Sequence, residues 1–195
     1  MNTRTPSEAR PPRMEALVRL PVFFALTGKR AVVAGGSAAA AWKAELLAAS
    51  GASVDAYAVD PGEELVEAAA PASITIHHRA IEAADLDGAA MAIGAFAHDD
   101  EAARFATAAR AAGVPVNVID NPAFCDFSFG SIVNRSPLVI GISTDGAAPV
   151  FAQAIRAKLE ALIPFGFARW AETARNHRFD FRPDRLPEDW RGSVG

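Results

Sequence analysis

Between residues 30 and 120, short apolar runs alternate with alanine-rich stretches of helical spacing, and this rhythm constrains the fold more than any other feature. RAVVAG (30–35) reads as a buried strand, and residues 38–50 as a helix ended by Gly51. SVDAYAVD (53–60) alternates toward a second strand, and EELVEAAA (63–70) is a short helix. SITIHH (73–78) and AAMAIGA (89–95) supply a third and a fourth strand. A helix over 99–112 closes on Gly113, and VPVNVID (114–120) gives a fifth strand. Strands this short and apolar, separated by helices, call for a parallel sheet covered on both faces. Right-handed crossovers then wind it as an α/β nucleotide-binding fold.

After Asp120 the rhythm changes. FSFGSIVNRSPLVIGIS (127–143) places two β-rich runs around the turn-forming residues Asn134–Pro137, the pattern of a hairpin. APVFAQAIRAKLEALIP (148–164) sets Val150, Phe151, Ala154, Ile155, Leu159, Leu162 and Ile163 along one helical stripe, which Pro164 interrupts. A further helix is expected over 165–178, carrying Arg169, Arg175 and Arg178, and the tail from Arg182 has no period. An apolar hairpin outside the main sheet needs cover, and a second subunit can supply it.

Composition excludes several classes of function. With 195 residues, 51% of them apolar, the chain suits one substantial domain with at most a small appendage. A net charge of -4 argues against a general nucleic-acid binder. The single cysteine, Cys125, leaves no intrachain disulfide and fits a cytoplasmic setting. No apolar run approaches the roughly 20 residues that cross a bilayer, so no membrane is expected. The polar start, with Pro6, Pro11 and Pro12, lacks the apolar core of a secretory signal and reads as a disordered arm.

The first strand runs directly into Gly35-Gly36 and then a helix. Such a turn aims backbone N–H groups and the helix dipole at one point, which suits a pyrophosphate. A dinucleotide turn normally has glycine again at position 37 and glycine or alanine at 40; here Ser37 and Ala40 stand there. Ser37 adds only a small side chain whose hydroxyl can donate, and Ala40 permits close packing of helix on strand. Asp60, ending the second strand, can accept from the adenosine ribose and repel a 2′-phosphate, favouring NAD over NADP. Its plainer role is to cap the turn before Pro61. Four parts are therefore expected: a disordered arm (1–18), a Rossmann-like NAD-binding domain (19–127), a dimerisation hairpin and helix (128–164), and a C-terminal helical region and tail (165–195).

Several segments together resemble the bifunctional precorrin-2 dehydrogenase and sirohydrochlorin ferrochelatase module, the first half of bacterial siroheme synthase. They are LPVFFALTGKRAVVAGG (20–36), WKAELLAASGA (42–52), AGVPVNVIDNP (112–122) and SIVNRSPLVIGISTDGAAPVFAQAIRAKLEALIP (131–164). The resemblance implies NAD-dependent oxidation of precorrin-2 to sirohydrochlorin, then insertion of ferrous iron, a substrate, to give siroheme. It implies a homodimer, and a methyltransferase domain or protein as a companion in the same pathway. It places the key carboxylate at Asp120 and the dinucleotide contacts at Ala38, Ala39, Val59 and Asp60, beside Gly35, Gly36 and Ser37. Tetrapyrrole contacts are expected at Asn117, Arg135, Ser143, Thr144 and Arg156, and Thr144 matches a serine that is phosphorylated in some members. The chain departs from the family pattern at Ser37, at Trp42 before Lys43, at Phe96 and Ala97, at Gly130 and at Asp145. Two further readings stand beside this one. One is a dehydrogenase without chelatase activity, since some members of the family leave metal insertion to a separate enzyme. The other is a tetrapyrrole-binding remnant that has lost NAD through the changes at Ser37, Phe96 and Ala97.

Oxidising a reduced tetrapyrrole requires loss of a hydride and a proton, and one carboxylate at the carboxyl edge of the sheet can act as the base. Sheet topology puts Asp120 at that edge, although Asp-Asn-Pro also simply begins a bend. The substrate's many carboxylates call for cations, with Arg135, Arg156, Lys158 and Arg169 as candidates or as solvated surface charges. Adjacent His77 and His78 point to opposite faces of a strand, so a shared metal is not expected of them. His98 follows the fourth strand, His177 lies near the end, and Cys125 reads as a buried structural thiol. No His/Cys/Asp spacing matches a permanent metal site. Phe127, Phe129, Phe151 and Trp170 either wall a flat macrocycle or pack in a core or interface.

Overall fold

A computed structural model describes residues 16–70, 73–146 and 149–176. The expected arm over 1–18 falls almost entirely outside them, as do His177, Arg178 and the tail. The chain divides into two compact units, one spanning Phe23–Phe129 and the other combining the N-terminal residues to Val22 with those from Gly130 onward.

In the first unit β1 (Arg30–Ala34), β2 (Ser53–Tyr57), β3 (Ile74–His77), β4 (Met91–Gly94) and β5 (Val116–Val118) form one sheet in the order β3-β2-β1-β4-β5. Every neighbouring pair is parallel. Helices α1 (Ala38–Ala49), α2 (Glu63–Ala68) and α3 (Asp99–Ala111) make the crossovers, with a short 3-10 turn at Ala83–Leu86 replacing a helix between β3 and β4. All residues of β4 and β5 are buried, and in β1 only Arg30 is not. Alternation sorts β1: Ala31 and Val33 pack on the face that holds Ala40, Ala44 and Leu47 of α1, while Val32 and Ala34 pack with Ala102, Phe105 and Ala109 of α3. The strands are shorter than the apolar runs that encode them, because each run continues into the loop that leaves the sheet.

Local signals set the helix ends. Ser37 caps α1, its Oγ accepting from the Ala40 amide at 3.3 Å, and Gly51, at φ +86°, ends that turn in the left-handed region. Asp99, Asp100 and Glu101 fill the first turn of α3 and Arg110 its last, each complementing the helix dipole.

The second unit holds an antiparallel hairpin, β6 (Ser131–Arg135) and β7 (Leu138–Ile142), then α4 (Pro149–Leu162) and α5 (Phe167–Asn176). Ser136 and Pro137 form the connection, at the turn that the sequence marks. Along the apolar stripe of α4 and its exit only Ile163 is buried, while Val150 is 73% exposed, Phe151 58% and Leu162 67%.

Candidate functional site

The register of the sheet brings the glycine turn and Asp120 to one edge. Ala34 is level with Tyr57 and with Gly94, and Gly94 with Val118. Gly35, Ala58, Ala95 and Ile119 therefore leave the sheet together at its carboxyl edge, where the strand order reverses between β1 and β4. That is where α/β sheets of this kind bind ligands.

Both glycines are required by close backbone crossings. Gly35 has φ +120°, and a Cβ on it would stand 2.5 Å from the Ala95 carbonyl oxygen. On Gly36 a Cβ would stand 2.5 Å from the Asp60 carbonyl oxygen. The Gly35 amide donates to the Tyr57 carbonyl at 2.9 Å, and the Gly62 amide donates to the Gly36 carbonyl at 2.8 Å. Ser37, Ala38 and Ala39 are exposed at the start of α1. The first turn of α1 carries no acid, whereas that of α3 carries three, so α1 is the helix terminus that can accept an anion. The Ser37 Oγ, while accepting from Ala40, keeps its proton to donate.

A cavity of about 480 Å³ opens beside this turn, lined by Gly35, Gly36, Val59, Asp60, Phe96 and Arg104 among others. The stretch of its lining from Ala80 to Ala83 is held by a polar network. Arg79 donates to both carboxylate oxygens of Asp85 at 2.7 Å, and the Glu82 amide donates to Asp85 at 2.8 Å. The Arg79 hydrogen bonds hold the Asp85 carboxyl down at about 2. Tyr57 stacks on His77 with ring centroids 4.5 Å apart, and His77 Nε2 lies 3.0 Å from Asp55. Four of the residues predicted to contact a dinucleotide thus line one cavity, and the other three form the adjacent helix terminus. Phe96, a departure from the family pattern, forms part of the wall and packs on Phe105 at 5.2 Å. A pocket of this size with a glycine-only crossing in its lining fits an adenine dinucleotide's pyrophosphate end.

Asp120 is exposed and adopts φ 58°, in the left-handed region, where the strand turns away from the sheet. The loop it starts is tied back by the Cys125 thiol: the Val118 amide and the Asn117 side-chain amide donate to Sγ at 3.2 and 3.3 Å. Asn117 is buried and also donates to the Phe127 carbonyl at 2.8 Å. Asn117, expected among the tetrapyrrole contacts, thus directs its amide nitrogen into the loop. Cys125 is half-buried and organises that loop. Sequence reasoning named no group as Asp120's electrostatic neighbour. Lys43 on α1 is that group: burial pushes its ammonium down to about 8, and the Asp120 charge acts in the opposite direction. No local pattern could have revealed this.

The other expected tetrapyrrole contacts belong to the second unit. Arg135 is buried; its Nε donates to the Ile163 carbonyl at 2.7 Å and its Nη1 to the Asn134 carbonyl at 2.8 Å, with the Phe165 ring 4.0 Å from the guanidinium. Ser143 Oγ accepts from the Asp145 amide at 3.3 Å, and Asp145 pairs with Arg19. Thr144 is half-buried. Arg156 Nε donates to Glu160 at 3.0 Å on the helix surface. Lys158 and Arg169 are exposed, as are Phe151 and Trp170. Phe127 and Phe129 instead pack against the core of the first unit, with centroids 5.5 Å apart. His98 is exposed at the start of α3. Among the described residues no group of His, Cys, Asp or Glu is placed to hold a metal ion, and no helix is long and apolar enough to cross a membrane.

Known proteins share both parts of the chain. The family described as "Putative NAD(P)-binding" matches residues 22–131, and the one described as "Sirohaem biosynthesis protein central" matches residues 135–162. Siroheme synthase of Ectopseudomonas mendocina is 40% identical over 159 residues, covering 82% of this chain and 34% of that protein. Siroheme synthase of Methylococcus capsulatus is 39% identical over 171 residues, covering 87% of this chain and 35% of its own length. The chain thus spans about a third of these relatives. Among solved structures, SirC, a precorrin-2 dehydrogenase, shares the fold with a TM-score of 0.65 at 18% identity, over 90% of this chain and 94% of that one.

Proposed function

This chain belongs to the NAD(P)-binding family of the siroheme synthases, and from that premise we propose that it oxidises precorrin-2 to sirohydrochlorin with NAD and then inserts ferrous iron. The observation that carries the reading is the common exit of the glycine turn and the Asp120 strand at one sheet edge. Gly35 and Gly36 would admit the pyrophosphate against the main chain, with the Ser37, Ala38 and Ala39 terminus facing it. Val59 and Asp60 would hold the adenosine ribose, the carboxylate disfavouring a 2′-phosphate. When bound, the nicotinamide supplies a hydride acceptor.

Asp120 takes the proton that leaves the macrocycle as the hydride departs, so that two hydrogens are lost in all. In chelation two pyrrole protons leave as ferrous iron enters, and the same carboxylate can receive them in turn. Its exposure at the start of a tethered loop leaves it open to a large substrate while the Cys125 contacts keep its position. The exposed stripe of α4, with Phe165 79% exposed beyond it, supports a homodimer that covers it. A methyltransferase domain or partner of the same pathway, and a cytoplasmic site of action, complete the reading.

The test is an anaerobic assay of the purified chain with precorrin-2 and NAD, followed by absorbance with and without ferrous iron. Sirohydrochlorin without iron and siroheme with it are expected. Product with no iron uptake would restrict the chain to the dehydrogenase step. Absence of both NAD binding at millimolar concentration and turnover would overturn the proposal.

A further inference from the structure

Lys43 lies on α1, on the unit that also carries Asp120, with its ammonium among aromatic rings. Its Nζ stands 3.8 Å from the ring centroid of Phe129 and 4.4 Å from that of Trp42. Among the described residues it has no hydrogen bond or ion pair within 4 Å. A half-buried ammonium with three unused donors is costly, and ring faces offset only part of that cost. Of the cations that the sequence suggested, Arg135 is engaged by main-chain carbonyls and Arg156 by Glu160, while Lys158 and Arg169 lie exposed in the second unit.

We propose that Lys43 receives one of the substrate's carboxylates beside Asp120, with Trp42 and Phe129 holding the ammonium in place. This rests on the tetrapyrrole reading above and makes Lys43 a specificity residue for that substrate. The ammonium offsets the repulsion that Asp120 would otherwise exert on an incoming carboxylate. Other titratable groups near α1 are Glu45 on the helix itself, Glu63, Glu64 and Glu67 on α2, and Asp55 and His77 on the neighbouring strands. Asp55 is engaged by Arg30 and His77, and the charge that acts on Lys43 is that of Asp120. The ammonium loses its proton near pH 8, so its grip on an anion is full at pH 7 and weakens as the pH rises through that range.

The experiment titrates the full chain with sirohydrochlorin, read by absorbance, for wild type, Lys43→Met and Lys43→Arg at pH 7 and pH 9.5. Loss of one charge-assisted contact predicts about tenfold weaker binding for Lys43→Met at pH 7. Wild type should weaken by about tenfold between the two pH values, while Lys43→Arg, always charged, and Lys43→Met should stay level. Equal affinity of wild type and Lys43→Met at pH 7 overturns the inference alone. No binding of sirohydrochlorin by folded wild type overturns the tetrapyrrole reading and this inference with it. If Lys43→Met does not fold, parallel pH dependences of wild type and Lys43→Arg overturn it instead.

Discussion

Gly36 lies so close beneath the main chain of Asp60 that a Cβ on it would sit 2.5 Å from the Asp60 carbonyl oxygen and 3.0 Å from Pro61 Cα. Both obstructing atoms are backbone, so no side-chain rotation relieves the contact. The same glycine accepts from the Gly62 amide, which ties the start of α2 to the glycine turn. Gly36→Ala must therefore displace the segment that carries Val59 and Asp60. The expected cost is about 2 kcal/mol, with weakened NAD binding. Denaturant titration and NAD titration of the variant check both, and wild-type values in each would refute the crossing as a constraint.

Asp120 holds a left-handed backbone conformation, φ 58°, that glycine adopts without strain. Asp120→Gly relieves that strain while giving the unfolded chain more freedom, so stability should change by less than about 1 kcal/mol. Sirohydrochlorin formation should nevertheless fall by about 100-fold or more, as expected for loss of a general base. Unchanged turnover in a folded variant would remove Asp120 from the chemistry.

Arg135 lies buried with its donors on the Ile163 and Asn134 carbonyls. Arg135→Met leaves those carbonyls without a donor and should destabilise the hairpin unit by about 2–3 kcal/mol. Arg135→Lys should restore little, since a single ammonium cannot reproduce the planar fork. Thermal unfolding measures this directly. A stable Arg135→Met with weakened sirohydrochlorin binding would instead favour its expected role as a substrate contact.

Burial lowers the Lys43 ammonium from its ordinary 10.5 to about 8. Between pH 8 and 9.5 the folded chain has released that proton while the unfolded chain keeps it, so folding becomes more favourable as the pH rises. Partial exposure of the side chain screens the effect, leaving about 1 kcal/mol. Urea unfolding across this range should show the rise in wild type and its absence in Lys43→Met, which at pH 7 should be the more stable protein. A rise that persists in Lys43→Met would assign the linkage to another group.

Much of the architecture was legible from residue order because strand and helix periods are local. The apolar runs around Val32, Val54, Ile74, Ile93 and Val116 each became a strand, and Gly35-Gly36, Gly51 and Gly113 fell at turns. The hairpin around Asn134–Pro137 was equally readable. Strand ends were not, since apolar residues such as Ala58, Val59 and Ile119 continue each run after ladder pairing has stopped.

By itself the sequence determined the alternation of elements and the position of the glycine turn, both carried by neighbours within a few residues, while Asp120 was singled out by the family resemblance and its place after the fifth strand. Tertiary structure decided which charges meet. It put Lys43 near Asp120, turned Arg135 and the Asn117 amide nitrogen onto main-chain carbonyls, and lined a cavity with Phe96 and Arg104. Pairings of that kind depend on register between distant strands and on which groups burial strips of water, and no local period encodes either.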